Sequence, residues 1–391
     1  MRFLSSGESH GKAISAIIDG FPSGVCIDFE FINEDLKRRQ HGFGRGERMN
    51  IEKDKIEILS GIRSGITLGT PISFLIYNKD WENWKERLGI EATNQNNITD
   101  ESKILNPRPG HADLPGYIKY RFDDIRNVIE RSSARETAAR VAAGAFAKIF
   151  LKSFGISIYS IVNRIGKTGL DLKDIIGNLN EELFLSAEKS ELRCPDYCIA
   201  DKMKEEVAAA AKEGNTLGGS FIVYAKGLPP GLGSYIQWDR RLDAKIAHAV
   251  MSIPAIKAVE IGQGINASSS SGSDFHDEIF YRKEKSFYRK TNNAGGIEGG
   301  ITNGEDIIIT AYMKPIPTTL SGLKTVNIKT KKAETSLRER SDVCAVPSAS
   351  TVGEAMLAIA LADEMQKKFG EDNIFEILQN FNNYRTYLEN I

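Results

Sequence analysis

Cysteine is scarce, with four in 391 residues. That is too few for the disulfide framework that staples small secreted folds. Cys194 and Cys198 are separated by three residues, but no second pair follows and the nearest histidine is the distant His248. A zinc site is therefore not expected, and no other metal is. An excess of one charge is also missing: 51 Lys and Arg stand against 52 Asp and Glu, a net charge of −1. No overall field draws the chain to nucleic acid or to a membrane surface, so any cationic site must be local. Long apolar runs are absent too, and none approaches the ~18 residues of a membrane span. The opening residues, MRFLSSGESHGKA, lack both the apolar core of a signal peptide and the Arg-rich pattern of a transit peptide. The expectation is a cytoplasmic protein with reduced thiols. A hydrophobic content of 41% and a charged content of 26% suit a soluble globular chain.

Chemistry-bearing residues collect in a few stretches. Gly7-Glu8-Ser9-His10-Gly11 lies between two short apolar segments. It matches the G-x-S-x-G elbow of serine hydrolases in form, but too few residues precede it to supply the sheet an elbow needs. Two readings stay open: a Gly-flanked turn with a solvated His, or a His held by tight turns as an acid or base. Residues 36–50 set Arg38, Arg39, Arg45 and Arg48 among Gly42, Gly44 and Gly46. Such a loop is either a solvated charged face or a clamp of planar, bidentate grips for a small polyanion. Residues 56–76 read as short strands and turns, with Trp81 and Trp84 beyond them as packing anchors.

The densest stretch is 107–150. Gly110-His111-Ala112-Asp113 puts a His in a turn-rich context, and Ser133-Ala134-Arg135-Glu136 fits a capping box opening a helix over 133–154. That helix is rich in small residues, Ala138 to Ala145, which lets neighbours approach closely. Arg131, Ser132, Ser133 and Arg135 at its start would suit an anion. A second small-residue helix is expected over 352–369. Strands are expected at 156–163, 218–224, 252–260 and 306–313, with helices at 199–213 and 242–251. Segment 295–304 is a Gly-rich loop with neither a Walker nor a dinucleotide pattern, and Lys314-Pro315-Ile316-Pro317-Thr318-Thr319 places a Lys and two hydroxyls at a strand end, suited to a phosphate.

Together these stretches resemble chorismate synthases. GESHG (7–11), RRQ through RM (38–49), NKDW (78–81), RPGHAD (108–113) and SSARETAARVAAGA (132–145) carry the resemblance in the first half. GGS (218–220), GLPPGLGS (227–234), WDRRLDA (238–244), SIPAIKAVEIG (252–262), GGIEGGITNG (295–304), KPIPT (314–318), RSDVCAVP (340–347) and EAML (354–357) continue it in order. His41 and Ala258 stand where the commoner pattern has Gly. Segments 266–293 and 364–391 match least; the first is expected to be a mobile insert and the second a helical tail.

The resemblance implies an α+β fold: a single β-α-β-α sandwich domain over 1–391, with long helices between two antiparallel sheets, assembled as a homotetramer. It implies a lyase that converts 5-enolpyruvylshikimate 3-phosphate to chorismate and phosphate by a 1,4-anti elimination needing reduced FMN. NADPH is one source of the reducing equivalents, and a separate flavin reductase is another possible supplier. In the family's terms His10 protonates the leaving phosphate, His111 stabilises the reduced flavin, and Asp342 assists proton removal. Ser9, Arg39, Arg45, Arg48 and Arg135 would hold the substrate. The flavin would meet Arg131, Ser132, Ser133, Pro254, Ala255, Gly299, Lys314, Pro315, Ile316, Pro317, Thr318 and Arg340. Two rivals remain: a hydrolase built on Ser9, and a flavin- or nucleotide-binding module without chemistry.

Overall fold

Two antiparallel sheets are built from strands whose side chains alternate in the expected way. The computed structural model describes residues 1–45, 53–91, 103–283, 286–337 and 342–391. In the first sheet, β1 (Arg2–Ser6) pairs with β2 (Ala13–Asp19), β2 with β4 (Ile72–Tyr77), and β4 with the two-residue β3 (Glu57–Ile58). The register sets Ala16 opposite Phe74 and Ile18 opposite Ile72. Ile14, Ala16, Ile18, Ile72, Phe74 and Ile76 therefore share the buried face, because alternate residues of a strand point to one side.

Helices follow: α1 (Phe29–Gln40) after β2, then α2 (Asp113–Tyr120), α3 (Arg126–Ser132) and α4 (Thr137–Lys152). The second sheet runs in the order β7 (Ile256–Ile261), β8 (Ile307–Met313), β6 (Gly219–Lys226), β5 (Ser157–Ile165), then the short Thr168–Gly169. α5 (Tyr197–Lys212) and α6 (Leu242–Met251) precede β6 and β7, and α7 (Val346–Phe369) and α8 (Ile374–Glu389) end the chain. Strand β6 is buried on both faces: Phe221, Val223 and Ala225 face the main core, while Ile222 and Tyr224 join Ile161, Ile308 and Phe184 on the other side.

The core is set by the contact of α4 with α7. α4 packs on β1 and β2, and α7 on β5 and β6. Gly144 is what permits the close approach: a Cβ there would lie 2.3 Å from Cβ of Ala355. Gly353 does the same on the opposite side, where a Cβ would sit 2.6 Å from the Phe221 ring. α7 is apolar on nearly every side, as a helix enclosed by other elements must be.

Several expectations need correction. The small-residue helix does not start at Ser133. Ser133 is extended (φ −67°, ψ 144°) and does cap, accepting from the Arg135 N–H, but what it caps is a single 3-10 turn over Ala134–Glu136, and α4 begins at Thr137. Glu136 does not reach back as a capping box would; Arg140 holds it at 2.9 Å, four residues on. Arg131 and Ser132 end α3 instead of opening α4, so they face the carboxyl end of a helix and the anion argument made for them fails. The second small-residue helix starts earlier than expected, at Val346, with Pro347 in its first turn where a missing N–H costs nothing. Arg38 and Arg39 belong to the last turn of α1 and not to a loop. The 264–289 stretch, by contrast, overturns no expectation: it holds helical turns at Gly264–Ala267 and Gly272–Phe275 and a hairpin pairing Ile279–Arg282 with Ser286–Arg289.

Candidate active site

The turn between β1 and β2 carries Ser9 and His10. Gly7 makes the turn possible: its φ is 105°, and a Cβ there would lie 2.4 Å from the Ala13 carbonyl oxygen. Asn78 braces the turn from β4, its Nδ2 donating to the Gly11 carbonyl at 2.6 Å and the Glu8 carbonyl at 3.2 Å. Arg135 Nε in turn donates to Asn78 Oδ1 at 2.7 Å.

His10 is held from below and from the side. Its Nδ1 lies 3.0 Å and 3.1 Å from the two Glu130 oxygens, and its backbone N–H donates to Glu130 Oε2 at 2.8 Å. The Trp84 ring stacks on the imidazole with centroids 4.1 Å apart. Burial raises the Glu130 carboxyl, but the bonds and charge of His10, with help from Arg126, outweigh it and hold the group below its ordinary value. Ser133 Oγ donates to Ser9 Oγ at 3.0 Å.

His111 is supported in a parallel way. Its Nδ1 lies 2.5 Å from Asp113 Oδ1. Arg108 donates to the other Asp113 oxygen through Nε at 2.8 Å and through its backbone N–H at 2.9 Å, and reaches Thr318 Oγ1 through Nη1 at 3.1 Å. Asp113 is fully buried. Burial alone would raise its carboxyl, yet the hydrogen bonds and charges of His111 and Arg108 hold it well below the usual carboxylate range.

Both histidines open onto one cavity of about 820 Å³. Cations crowd its wall. Arg39 and Arg135, both buried, share Asp54, at 2.7 Å and 2.6 Å from its two oxygens. Two guanidiniums on one carboxylate leave a positive surplus. Burial raises Asp54, but the two arginines overcome that and lower it. Burial lowers Arg39, with Asp54 opposing and Arg135 and Arg45 adding to the shift. Arg45 Nη1 lies 2.7 Å from Asp342 Oδ2. Lys314, lowered by burial and by the Lys257 charge, donates to the Gly110 carbonyl. Ile253, Pro254, Ala255, Met313, Ile316 and Pro317 add an apolar part to the wall. Ala255 adopts φ 69°, strain that a non-Gly residue keeps where the surroundings enforce it.

The cavity brings together Ser9, His10, Arg39, Arg45, His111, Ser132, Ser133, Arg135, Pro254, Ala255, Lys314, Ile316, Pro317, Thr318 and Asp342. Three expected residues do not line it. Arg131 turns to β1 and donates to the Ser5 and Gly7 carbonyls at 2.9 Å and 3.1 Å. Pro315 is exposed beside it. Gly299 lies at a separate cavity of about 480 Å³ with Asp243, His276 and Asp277. Arg48 and Arg340 fall outside the described residues. Sequence reasoning missed Glu130, Asp113 and Arg108, and took Trp84 for a packing anchor. The His-x-Asp spacing of 111–113 and the i,i+4 pair Arg126–Glu130 were the available signals. Among the described residues no group of His, Cys, Asp and Glu could hold a metal ion, and no helix is long and apolar enough to cross a membrane.

A cation-lined cavity with two carboxylate-backed histidines is the equipment of an enzyme, suited to proton transfer with a small anion. Comparison with known proteins gives the family. The chorismate synthase profile matches residues 1–366. The chorismate synthase of Sulfurihydrogenibium sp. (strain YO3AOP1) is 54% identical over 387 residues, covering 98% of both chains. That of Aquifex aeolicus (strain VF5) is 50% identical over 394 residues, covering 100% of this chain and 98% of its own. A crystal structure of a chorismate synthase superposes with a TM-score of 0.81 at 43% identity, covering 100% of this chain and 98% of that one. The chain belongs to the chorismate synthase family, lyases of the last shikimate-pathway step.

Proposed function

We propose that this chain converts 5-enolpyruvylshikimate 3-phosphate to chorismate and phosphate by a 1,4-anti elimination that depends on reduced FMN. The observation that carries the reading is the pair of carboxylate-held histidines on one cation-rich cavity. The substrate brings one phosphate and two carboxylates, and Arg39, Arg45 and Arg135 supply grips for them. Nδ1 of His10 is committed to Glu130, which leaves Nε2 to give a proton to the departing phosphate oxygen. The carbon–oxygen bond to phosphate breaks and a ring hydrogen leaves as a proton; Oδ of Asp342 is the nearby carboxylate suited to take it.

The residues present fit a flavin mononucleotide. The apolar wall of Pro254, Ala255, Ile316 and Pro317 suits an apolar ring system, and Lys314 and Thr318 suit its phosphate. Nε of Arg39 is buried without a partner among the described residues, as expected beside an anionic occupant. Bound there, reduced FMN supplies electron density to the breaking bond. His111, fixed at Nδ1 by Asp113, would bring its imidazole to the bound flavin. The same reading includes a single sandwich domain, a homotetramer, a cytoplasmic setting, and NADPH or a separate reductase as the source of electrons.

The test is an anaerobic assay with reduced FMN and the phosphorylated substrate, following phosphate release. Release that requires reduced flavin is expected. Release without flavin would favour a hydrolase on Ser9, and flavin binding without release would leave only a binding module. His10→Ala and His111→Ala should each lower turnover by roughly two to four orders of magnitude. Near-normal turnover in both would remove them from the chemistry.

A further inference from the structure

One carboxylate group takes both polar handles of His10. Glu130 receives the backbone N–H at 2.8 Å and the ring Nδ1 at 3.0 Å. Its side chain is 1% exposed, so the contact is made away from water. Arg126, one turn earlier on α3, reaches Glu130 Oε1 at 3.4 Å and lays its guanidinium 5.2 Å from the centroid of the Trp84 ring that stacks on His10. Trp84 is itself anchored, its Nε1 donating to Asp80 Oδ2 at 3.0 Å. The imidazole is thus fixed at one nitrogen, on one face and at its backbone, and only its far edge is left for the cavity.

We propose that Glu130 is the positioning residue for His10: it fixes the ring through Nδ1, confines proton exchange to Nε2, and supplies the negative charge that keeps the ring a proton donor, with Arg126 tempering that charge. This rests on the reading of His10 as the acid. The other charged groups facing the same cavity are Asp80 beside Trp84, the Arg45–Asp342 pair, Arg39 and Arg135 on Asp54, Arg108 with His111, and Lys314. Of these carboxylates, Glu130 is the one joined to the imidazole. Removing it takes away a buried counter-ion, whereas removing Arg126 leaves the Glu130 charge wholly to His10, so the two changes have opposite electrostatic signs.

The experiment uses the full chain with reduced FMN and substrate, anaerobically. Glu130→Gln keeps the shape of the side chain and drops its charge. Its kcat should fall about tenfold or more with KM for substrate changed less, and the descending limb of its pH–rate profile should move down by about one unit or more. Arg126→Met should move that limb upward. In the protein free of substrate and flavin, the His10 ring resonances, assigned by their loss in His10→Asn, should titrate at a lower pH in Glu130→Gln than in the parent. Should Glu130→Gln fail to fold, as thermal melting would reveal, the direction of the Arg126→Met shift decides. If His10→Asn is inactive while the limb and the resonances stay put, or move the same way in both variants, Glu130 is merely structural and the proposal is refuted. If His10→Asn keeps near-normal turnover, it is the acid role of His10 that falls, a result separable from the titration of the ring.

Discussion

Glu354→Gln should cost about 3–5 kcal/mol of stability, the range for leaving buried charge without its partner. The figure follows from the surroundings of this residue. Glu354 is fully buried on α7. Its carboxylate accepts from Arg38 at 2.8 Å and 2.9 Å, from Lys148 at 2.6 Å, from Arg193 at 3.0 Å and from Ser160 at 2.6 Å. Asp35 and Glu188 complete the cluster, Asp35 on Arg38 and Lys148, Glu188 on Arg38 and Arg193. Three cations thus meet three anions, joining α1, α4, α7 and the β5 side of the second sheet. The substitution keeps the shape and leaves one positive charge uncompensated where water cannot screen it. Glu188→Gln, at a carboxylate 35% exposed, should cost under about 1 kcal/mol.

Urea denaturation followed by circular dichroism measures both. Acid provides a second reading. Burial raises the Glu354 carboxyl, but Arg38, Lys148 and Arg193 hold it well below its unfolded value. A depressed carboxyl stabilises fully above its unfolded pKa, about 4.3, and that stabilisation is lost as pH falls below it. The gap between parent and Glu354→Gln should therefore hold from pH 7 to about pH 5 and narrow as pH falls from about 4.3 downward. A cost below about 1 kcal/mol, or a gap that stays constant across that window, would refute the argument that this cluster is a charge-balanced unit.

Two further outcomes test the site and the core. Arg45→Ala should raise the substrate concentration needed for half-maximal rate more than it changes FMN affinity; equal effects on both ligands, read by kinetics and by flavin titration, would remove the clamp role of Arg45. Gly144→Val should cost about 1–3 kcal/mol or more, because its first carbon already meets Cβ of Ala355. A melting temperature unchanged from the parent would mean that α4 and α7 separate freely.

Much of this arrangement was legible because it is local. Residues 56–76 read as short strands, β3 and β4 among them, and Ala-rich spacing marks α4 and α7, whereas AISAIID reads only as a short apolar segment and is β2. The histidines and several arginines stood out by type and by their glycine neighbours. What could not be read is what depends on contacts between distant segments. Ser133 does cap, accepting from the Arg135 N–H at 3.3 Å, but its own four residues do not show that the turn it caps is 3-10 and that another helix, α3, ends at Ser132 just before it. Glu130 looks like a surface residue until α3 is laid beside the His10 turn, 120 positions earlier. Arg38 looks like a companion of Arg39, yet adjacent helical positions diverge by about 100°, so one enters the Glu354 cluster and the other the cavity.

The far-apart origin of the site has a consequence for biosynthesis. Ser348 Oγ donates to the Arg39 carbonyl at 2.7 Å, and the Val343 N–H to the Gly44 carbonyl at 2.8 Å, joining segments about three hundred residues apart. While the ribosome is still making the middle of the chain, the arginine segment has Asp54 and Asp35 to pair with but lacks the 343–348 stretch it will later meet. The small-residue flank of α4 is left without its partner for the same interval. Emergence of α7 is the event that seals both, so catalytic competence should arise in one late step, and the waiting chain is the form most exposed to chaperones and proteases.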